Sequence, residues 1–192
     1  MTILRPAVSV LLLLTLVTGV LYPLLTTVVG KTLFPTQAQG SLIKQGEAVK
    51  GSLLIGQAFT QPGYFQGRPS ATADHPDNPL ASGGSNLAQS HPQLMTEVEQ
   101  RVATLRAQNP SATGKIPTEL LTTSASGLEP MLSVAAVEWQ IPRVAQARHL
   151  SVEELQHLVQ RFTQAPRLSF MGPPVVNLVA LNLALDQYHQ GK

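Results

Sequence analysis

The chain has 192 residues, of which 43% are hydrophobic and 12% are charged, and its net charge is +2. It contains no cysteine, which excludes disulfides and cysteine-based zinc sites, and its basic residues form no cluster on which a nucleic acid would bind. The apolar excess is concentrated at the N-terminus. With that segment set aside, about 150 residues remain, enough for one domain with a single core.

The first predicted element is a transmembrane helix over residues 6–30. This stretch has no charged residue, and at about 1.5 Å per residue it is long enough to cross a hydrocarbon core of roughly 30 Å. The alternative is a cleaved signal peptide, but the apolar stretch exceeds the about 7–15 residues of a signal core and no A-x-A cleavage site follows. We therefore expect a retained anchor between a short tail, residues 1–5, and a linker, residues 31–50.

Small and hydroxylated residues recur along one face of this helix. At about 100° per residue they fall on one narrow stripe. Its members are Thr15, Thr18, Gly19, Tyr22 and Thr26. Such residues permit close packing between helices in lipid, although membrane helices also tolerate them without a partner. The stripe predicts a partner-helix interface, and Pro23 predicts a kink.

A mixed α/β (α+β) soluble domain with short strands and several helices is predicted over residues 51–192. An apolar run bounded by glycines predicts a strand at residues 51–57. A stretch rich in Gly, Pro and Ser predicts a long ordered loop over residues 60–90. Within that loop, Tyr64 and Phe65 are expected to be buried.

Capping signals and helical periodicity predict the helices of the domain. Capping boxes predict helix starts at Ser90 and Ser151, and Asn109-Pro110 predicts the end of the first of these helices. Further helices are predicted at residues 134–139, 142–150 and 177–187.

Motifs for ATP hydrolysis and for metal catalysis are absent from the sequence. It has no G-x-x-x-x-G-K-[ST] loop, no H-E-x-x-H and no G-x-S-x-G, so no catalytic residue, metal site or cofactor of its own is predicted. The segment Asp74–Asn78 offers metal ligands, but a proline-centred turn uses the same residue types. The loop of residues 82–86 suits either an anion-binding nest or a turn with positive φ.

Seven segments, in order over nearly the whole chain, resemble the KdpC family, the C subunits of the Kdp potassium pump. They are the anchor that begins at Arg5-Pro6 and residues 51–57, 64–72, 82–87, 124–130, 140–145 and 182–186. The resemblance implies a non-catalytic accessory subunit of an ATP-driven, high-affinity potassium uptake pump. Such a subunit stabilises assembly and supports ATP binding and turnover by the P-type ATPase subunit.

The resemblance also implies partners and a location. The partners are a potassium-binding, channel-like subunit (KdpA), an ATP-hydrolysing subunit (KdpB), a small membrane peptide (KdpF) and membrane lipid, and the complex uses ATP, Mg²⁺ and K⁺. The chain would cross the bacterial inner membrane once, with residues 1–5 in the cytoplasm and residues 51–192 outside it. The flanking lysines alone do not predict this orientation.

The loops of the domain are predicted to form a docking surface for the pump. Its residues are Tyr64, Phe65, Arg68, Ser82, Gly83, Gly84, Ser85 and Asn86. Arg68 suits a bidentate contact with a carboxylate, either on the pump or within the domain. The alternative function is a membrane-anchored extracytoplasmic binding or hydrolase domain, which would require a pocket with converging titratable groups.

Overall fold

The computed structural model describes residues 3–190, which divide at Gly51 into two compact units. The first unit begins with an apolar helical segment. Its parts are α1 (Leu4–Leu16), a π-helical segment (Val17–Leu21) and α2 (Tyr22–Leu33). From Leu4 to Leu33 the mean hydropathy reaches 2.3, and the length and composition suit a membrane span. The predicted helix is present and extends beyond both ends of residues 6–30; Met1 and Thr2 lie outside the described residues.

The π-helical segment ends at Leu21, two residues before Pro23. Proline has no N–H, and its ring clashes with the carbonyl four residues earlier, here that of Gly19. In the structure, the N–H of Tyr22 donates to the carbonyl of Val17, five residues earlier. The helix therefore has a locally widened turn before Pro23, and the kink at Pro23 stays a prediction.

Residues 35–50 are not a plain linker. They contain a helical turn and most of a two-stranded hairpin; these elements are α3 (Pro35–Ala38), β1 (Leu42–Gln45) and β2 (Ala48–Ser52). Gly46 lies in the hairpin turn with φ +64°, a conformation that glycine adopts without steric cost.

The strand predicted at residues 51–57 is wrong beyond Ser52. The backbone of this segment bonds elsewhere: the carbonyl of Leu53 accepts from Nδ2 of Asn177 at 2.7 Å, and the N–H of Gly56 donates to the carbonyl of Leu128 at 2.9 Å. A short apolar run indicates that a segment packs against the protein, but not that it pairs with a strand. Here the backbone groups bond to a side chain and to a loop carbonyl instead of to a neighbouring strand.

The second unit is built from helices around a small antiparallel sheet. Its elements are α4 (Pro92–Gln108), β3 (Met131–Ser133), α5 (Val134–Glu138), α6 (Ile141–Arg148), α7 (Val152–Phe162), β4 (Thr163–Gln164), β5 (Val175–Asn177) and α8 (Leu178–Gln190), with 3₁₀ turns at Thr118–Leu120 and Ser169–Met171. The strand order is β3-β5-β4. Val176, which is fully buried, pairs with Leu132 on one side and with Thr163 on the other. The predicted mixed α+β class is confirmed.

The helix predictions hold, with one shifted cap. The capping box of α7 is present: Ser151 Oγ accepts from the N–H of Glu154 at 3.1 Å, and Glu154 Oε2 accepts from the N–H of Ser151 at 2.9 Å. The box predicted at Ser90 is wrong, because Nδ1 of His91 caps α4 by accepting from the N–H of Gln93. Pro92 then occupies the first helical position, which proline favours.

Residues 53–91 form neither helix nor strand, as predicted for most of this stretch. Phe65 is fully buried, whereas Tyr64 is only half-buried. Burial of a phenylalanine side chain stabilises a fold by about 2–3 kcal/mol. This side chain therefore fixes the loop onto the helical core.

Candidate functional site

The predicted partner-helix residues are exposed on the described chain. Tyr22 is 64% exposed, and no residue of the helical segment from Leu4 to Leu33 is buried. The hydroxyl of Thr18 donates to the carbonyl of Leu14 at 2.7 Å, and that of Thr26 donates to the carbonyl of Tyr22 at 3.0 Å. These bonds satisfy the hydroxyl protons of Thr18 and Thr26 inside the helix, so at these two positions the stripe offers small size rather than unpaired donors.

Gly19 and Thr15 lie within this stripe. A Cβ added at Gly19 would meet Cγ2 of Thr15 at 3.9 Å, which is an ordinary van der Waals contact. The helix itself therefore does not require glycine at this position. Close approach of a second helix would require it, since small residues allow helix axes to come together in lipid.

In the domain, the loop around Phe65 is bound by side chains that act in place of a neighbouring strand. Asn182 on α8 accepts from the N–H of Phe65 through Oδ1 and donates to its carbonyl through Nδ2, both at 2.9 Å. Gln140 does the same for Gln66, at 2.8 and 3.0 Å. Asn182 and Gln140 are each 1% exposed. Their amides satisfy loop backbone groups that would otherwise be buried without partners.

Two arginines extend this arrangement. Arg143, which is 7% exposed, donates to the carbonyls of Pro62 and Tyr64 and to Oε1 of Gln140. Burial lowers the pKa of its guanidinium, which nevertheless stays protonated because arginine keeps its charge in proteins. Its contacts are all to neutral acceptors within the fold, so it serves to hold the loop.

Arg148 forms a second polar contact with the same loop. It donates to the carbonyl of Gly63 at 2.8 Å and forms an ion pair of 2.7 Å with Asp186. Its guanidinium lies 4.5 Å from the ring centre of Tyr64, whose hydroxyl donates to Asp186 at 3.0 Å. Both the aromatic ring and the hydroxyl of Tyr64 therefore contact residues of the same domain.

Arg68 also bonds within the domain. Its Nη2 donates to the carbonyl of Thr123 at 2.9 Å, and its Nε and Nη2 lie 3.4 Å from the carbonyl of Thr122. The acceptors are backbone carbonyls rather than the carboxylate that the sequence suggested. The observed geometry links the loop of residues 60–90 to the segment that follows α4.

The loop of residues 82–86 packs on residues 123–127. The N–H of Gly83 donates to the carbonyl of Ser126 at 2.9 Å, and the hydroxyl of Ser82 donates to the same oxygen at 3.0 Å. A Cβ at Gly84 would lie 3.1 Å from the carbonyl of Ser124, so close approach, not positive φ, explains that glycine. Ser85 accepts from Thr123 at 3.3 Å, and Asn86 has φ +52°.

The family-typical segments thus meet in two clusters. Residues 64–72 contact residues 140–145 and 182–186, and residues 82–87 and 51–57 contact residues 124–130. The hydroxyl of Ser70 joins the two clusters by donating to the carbonyl of Gly127 at 2.8 Å. The predicted docking residues are brought together with internal partners, and their docking role stays a prediction. Sequence reasoning assigned no role to Gln140, Arg143 or Asn182, although polar residues on the buried faces of two predicted helices were an available signal.

A cleft of about 300 Å³ lies beside the first cluster. Arg68, Asp77 and Glu129 line it, with Phe59 and Leu178 as apolar neighbours. Burial raises the pKa of the Asp77 carboxyl, and the charge of the His75 side chain partly opposes that rise.

Two of the titratable groups of this cleft bond to backbone groups of the domain. Oε1 of Glu129 accepts from the N–H of Met131 at 3.1 Å, and Arg68 bonds to the carbonyls of Thr122 and Thr123. Among residues 3–190, no group of three His, Asp or Glu side chains is placed to hold a metal ion.

Comparison with known proteins gives the family. A family model described as "KdpC: K+-transporting ATPase, c chain" matches residues 4–187. Three curated relatives carry the name potassium-transporting ATPase KdpC subunit. The protein from Klebsiella pneumoniae is 60% identical over 186 residues, 97% of each chain. Those from Salmonella heidelberg and Shigella dysenteriae are 59% identical over 191 residues (98% of each chain) and 58% identical over 184 residues (96% of this chain and 97% of the relative).

These matches cover the anchor and the domain alike, so the likeness does not rest on one conserved-looking loop or on the apolar helix alone. The resemblance drawn from the seven segments is confirmed, and the chain belongs to the KdpC family of potassium-transporting ATPase C subunits.

Proposed function

We propose that this chain is the non-catalytic accessory subunit of an ATP-driven potassium uptake pump. The observation that carries the proposal is the family match over residues 4–187. A membrane location follows from the family together with the exposed apolar helix from Leu4 to Leu33. The domain contributes a rigid body whose polar side chains are used to hold its own loops.

The partners that we propose are KdpA, KdpB and KdpF, with membrane lipid around the anchor. ATP, Mg²⁺ and K⁺ belong to the pump as a whole, and this chain is proposed to hold none of them. Membership of the family supports these assignments. The short stripe from Thr15 to Thr26 supports a helix–helix contact with one of the membrane partners, because four of its five residues are Thr or Gly and none is buried within the chain.

We place the domain outside the cytoplasm of a bacterial inner membrane, with the N-terminus inside. One membrane crossing puts the two ends of the chain on opposite sides, and long folded domains cross largely regardless of flanking charge. ATP is then on the far side of the membrane from the domain. Support of ATP turnover is therefore proposed to pass through the membrane-embedded contacts of the anchor.

Thiol labelling tests this topology cleanly, since the chain has no cysteine. Ser111→Cys, at an exposed position of the domain, should react with a membrane-impermeant maleimide on intact cells. Thr2→Cys, on the other side of the anchor, should react only after lysis. Labelling in the reverse order would contradict the proposed orientation without affecting the family assignment.

Co-purification tests the subunit role. The tagged full chain, expressed with its pump and extracted in a mild detergent, should elute with two large membrane proteins. If it elutes alone from membranes that contain the pump, the accessory-subunit proposal is wrong. An anchored extracytoplasmic binding or hydrolase domain would then be the better description.

A further inference from the structure

A group of exposed apolar side chains lies at the tip of the loop that joins β4 to β5. The loop comprises residues 165–174, and the strand register sets Gln164 opposite Val175 at its base. Leu168, Phe170 and Met171 are 54%, 82% and 64% exposed. Both ends of the loop enter the same sheet, so its tip is held on a fixed base.

A short turn organises the tip. The N–H of Met171 donates to the carbonyl of Leu168 at 3.0 Å, within the 3₁₀ turn Ser169–Met171. Gly172 follows with φ +120°, which favours glycine and returns the chain toward β5. The three apolar residues therefore lie within or next to one hydrogen-bonded turn.

The charge of this region is positive. Arg167 is exposed next to the apolar group, and no acidic residue occurs between Glu154 and Asp186. Exposed apolar clusters on folded domains commonly mark a contact with a protein or a membrane. The group of residues 167–171 combines apolar side chains with one cation, the pattern of segments that bind at the surface of an anionic bilayer.

We propose that the tip formed by Arg167, Leu168, Phe170 and Met171 inserts shallowly into the lipid surface of the membrane that holds the chain. A stable protein interface buries about 800 Å² on each partner, and three side chains fall well short of that area. A weak lipid contact suffices here, because the anchor keeps the domain at a high effective concentration near the bilayer. The apolar groups enter the interfacial region while Arg167 binds a headgroup phosphate. The contact does not depend on the orientation of the anchor.

A single-cysteine probe in the full chain tests this proposal. Phe170→Cys carries an environment-sensitive nitrobenzoxadiazole label, and the chain is reconstituted into nanodiscs of phosphatidylcholine with one quarter phosphatidylglycerol. Both faces of a nanodisc are open to solvent, so either orientation reports equally. Leu80→Cys is the matched control, since Leu80 is an isolated apolar residue that is 95% exposed.

The label at position 170 should show blue-shifted emission and quenching by lipids that carry a spin label near the headgroup. The label at position 80 should respond mainly to soluble iodide. In the labelled chain, Arg167→Gln should reduce the effect of phosphatidylglycerol, and Leu168→Ser with Met171→Ser should reduce the blue shift at least twofold.

Two outcomes would overturn the proposal. In the first, the label at position 170 is as accessible to iodide as the label at position 80. In the second, it becomes shielded only in the assembled pump and without lipid quenching, which would assign the tip to a protein partner. Because the substituted side chains are exposed, an unchanged melting temperature of each variant shows that the fold is intact.

Discussion

The anchor and the domain use their side chains in opposite ways. From Leu4 to Leu33 no residue is buried within the chain, so the surface of the helix must find its partners in lipid and in other subunits. In the domain, the polar residues that most resemble a functional site are turned inward. Asn182, Gln140 and Arg143 bond to the backbone of a neighbouring loop.

This difference separates residues that bond within the fold from residues whose surface is left exposed by the chain itself. Polar residues that belong to family-typical segments suggest a binding role. In this domain, however, Asn182, Gln140 and Arg143 form hydrogen bonds with the domain itself. The exposed threonines of the apolar helix lie on a surface that is not buried against any other part of the chain. Substitutions in the domain should therefore change stability first, and substitutions in the anchor should change assembly alone.

The largest effect is expected at Asn182. Asn182→Ala removes two hydrogen bonds and leaves the buried N–H and carbonyl of Phe65 without partners. Each unsatisfied buried group costs about 1–3 kcal/mol, so we expect the free energy of unfolding to fall by about 3 kcal/mol. Denaturant unfolding of the full chain in detergent measures this change.

Gln187→Ala is the control, since Gln187 is exposed on the same helix. It should change the free energy of unfolding by less than about 0.5 kcal/mol. If both variants were equally stable, Asn182 would not hold the loop. The expectation that substitutions in the domain change stability first would then be wrong.

Sequence reasoning found most of the helices because each carried its own local signal. The capping box at Ser151 and the leucine spacing of α8 do not depend on the rest of the fold. The strands were missed because β3, β4 and β5 are two or three residues long, too short for alternation to appear. Their existence depends on pairing with distant segments.

The sequence singled out the loop residues Tyr64, Phe65 and Arg68, but it gave no role to Gln140, Arg143 and Asn182, whose side chains hold that loop. The segments that carry the family resemblance were recognised, but nothing local to Phe65 indicates that Asn182 binds its backbone across 117 positions of sequence. The shift from Ser90 to His91 as the cap of α4 has a local cause. Pro92 occupies the first helical position, which proline favours, so the cap is the residue immediately before it.

A somewhat smaller loss of stability is expected at Arg68, the residue for which docking and internal roles compete. Arg68→Ala removes the bonds to the carbonyls of Thr122 and Thr123. For a half-buried charged donor we expect a loss of about 1–2 kcal/mol, measured by thermal unfolding of the full chain.

Lys115→Ala, at an exposed cation, controls for the change in charge. If Arg68→Ala leaves the melting temperature unchanged and lowers co-purification of the pump, the docking role holds and the internal role is wrong. Measured together, stability and co-purification therefore distinguish the two.

In the anchor, added bulk on the stripe should weaken assembly without changing the domain. Gly19→Leu holds a partner helix away, because small residues allow helix axes to come together in lipid. We expect co-purification to fall by about tenfold, which corresponds to about 1.4 kcal/mol. The space around Gly19 accepts a Cβ within its own helix, so the helix itself should persist.

Val17→Leu adds bulk on the opposite face and is the matched control. Quantitative pull-down of the tagged chain with its pump, at fixed detergent, compares the two variants. Equal losses would show that no particular face of the helix is packed against a partner.

The smallest effect is expected at Asp77, where the domain tolerates a poorly solvated carboxyl. Burial raises its pKa above the ordinary 3.8, so the folded state binds the proton more tightly than the unfolded state, and stability falls as the pH rises through that range. Asp77→Asn removes this effect and suits the left-handed backbone, φ +57°, which asparagine tolerates well. The variant should be slightly more stable than the native chain at pH 7, with the advantage narrowing toward pH 4.

Unfolding of the full chain between pH 4 and pH 8 measures the Asp77 effect, with Asp74→Asn as control because Asp74 is exposed and has φ +68°. A variant less stable than the native chain at pH 7, with the difference shrinking toward pH 4, would show that the Asp77 carboxylate makes a stabilising contact in the cleft. In that case the Asp77 carboxylate would stabilise the domain instead of destabilising it. The cleft would then become the first place in the domain to search for a ligand.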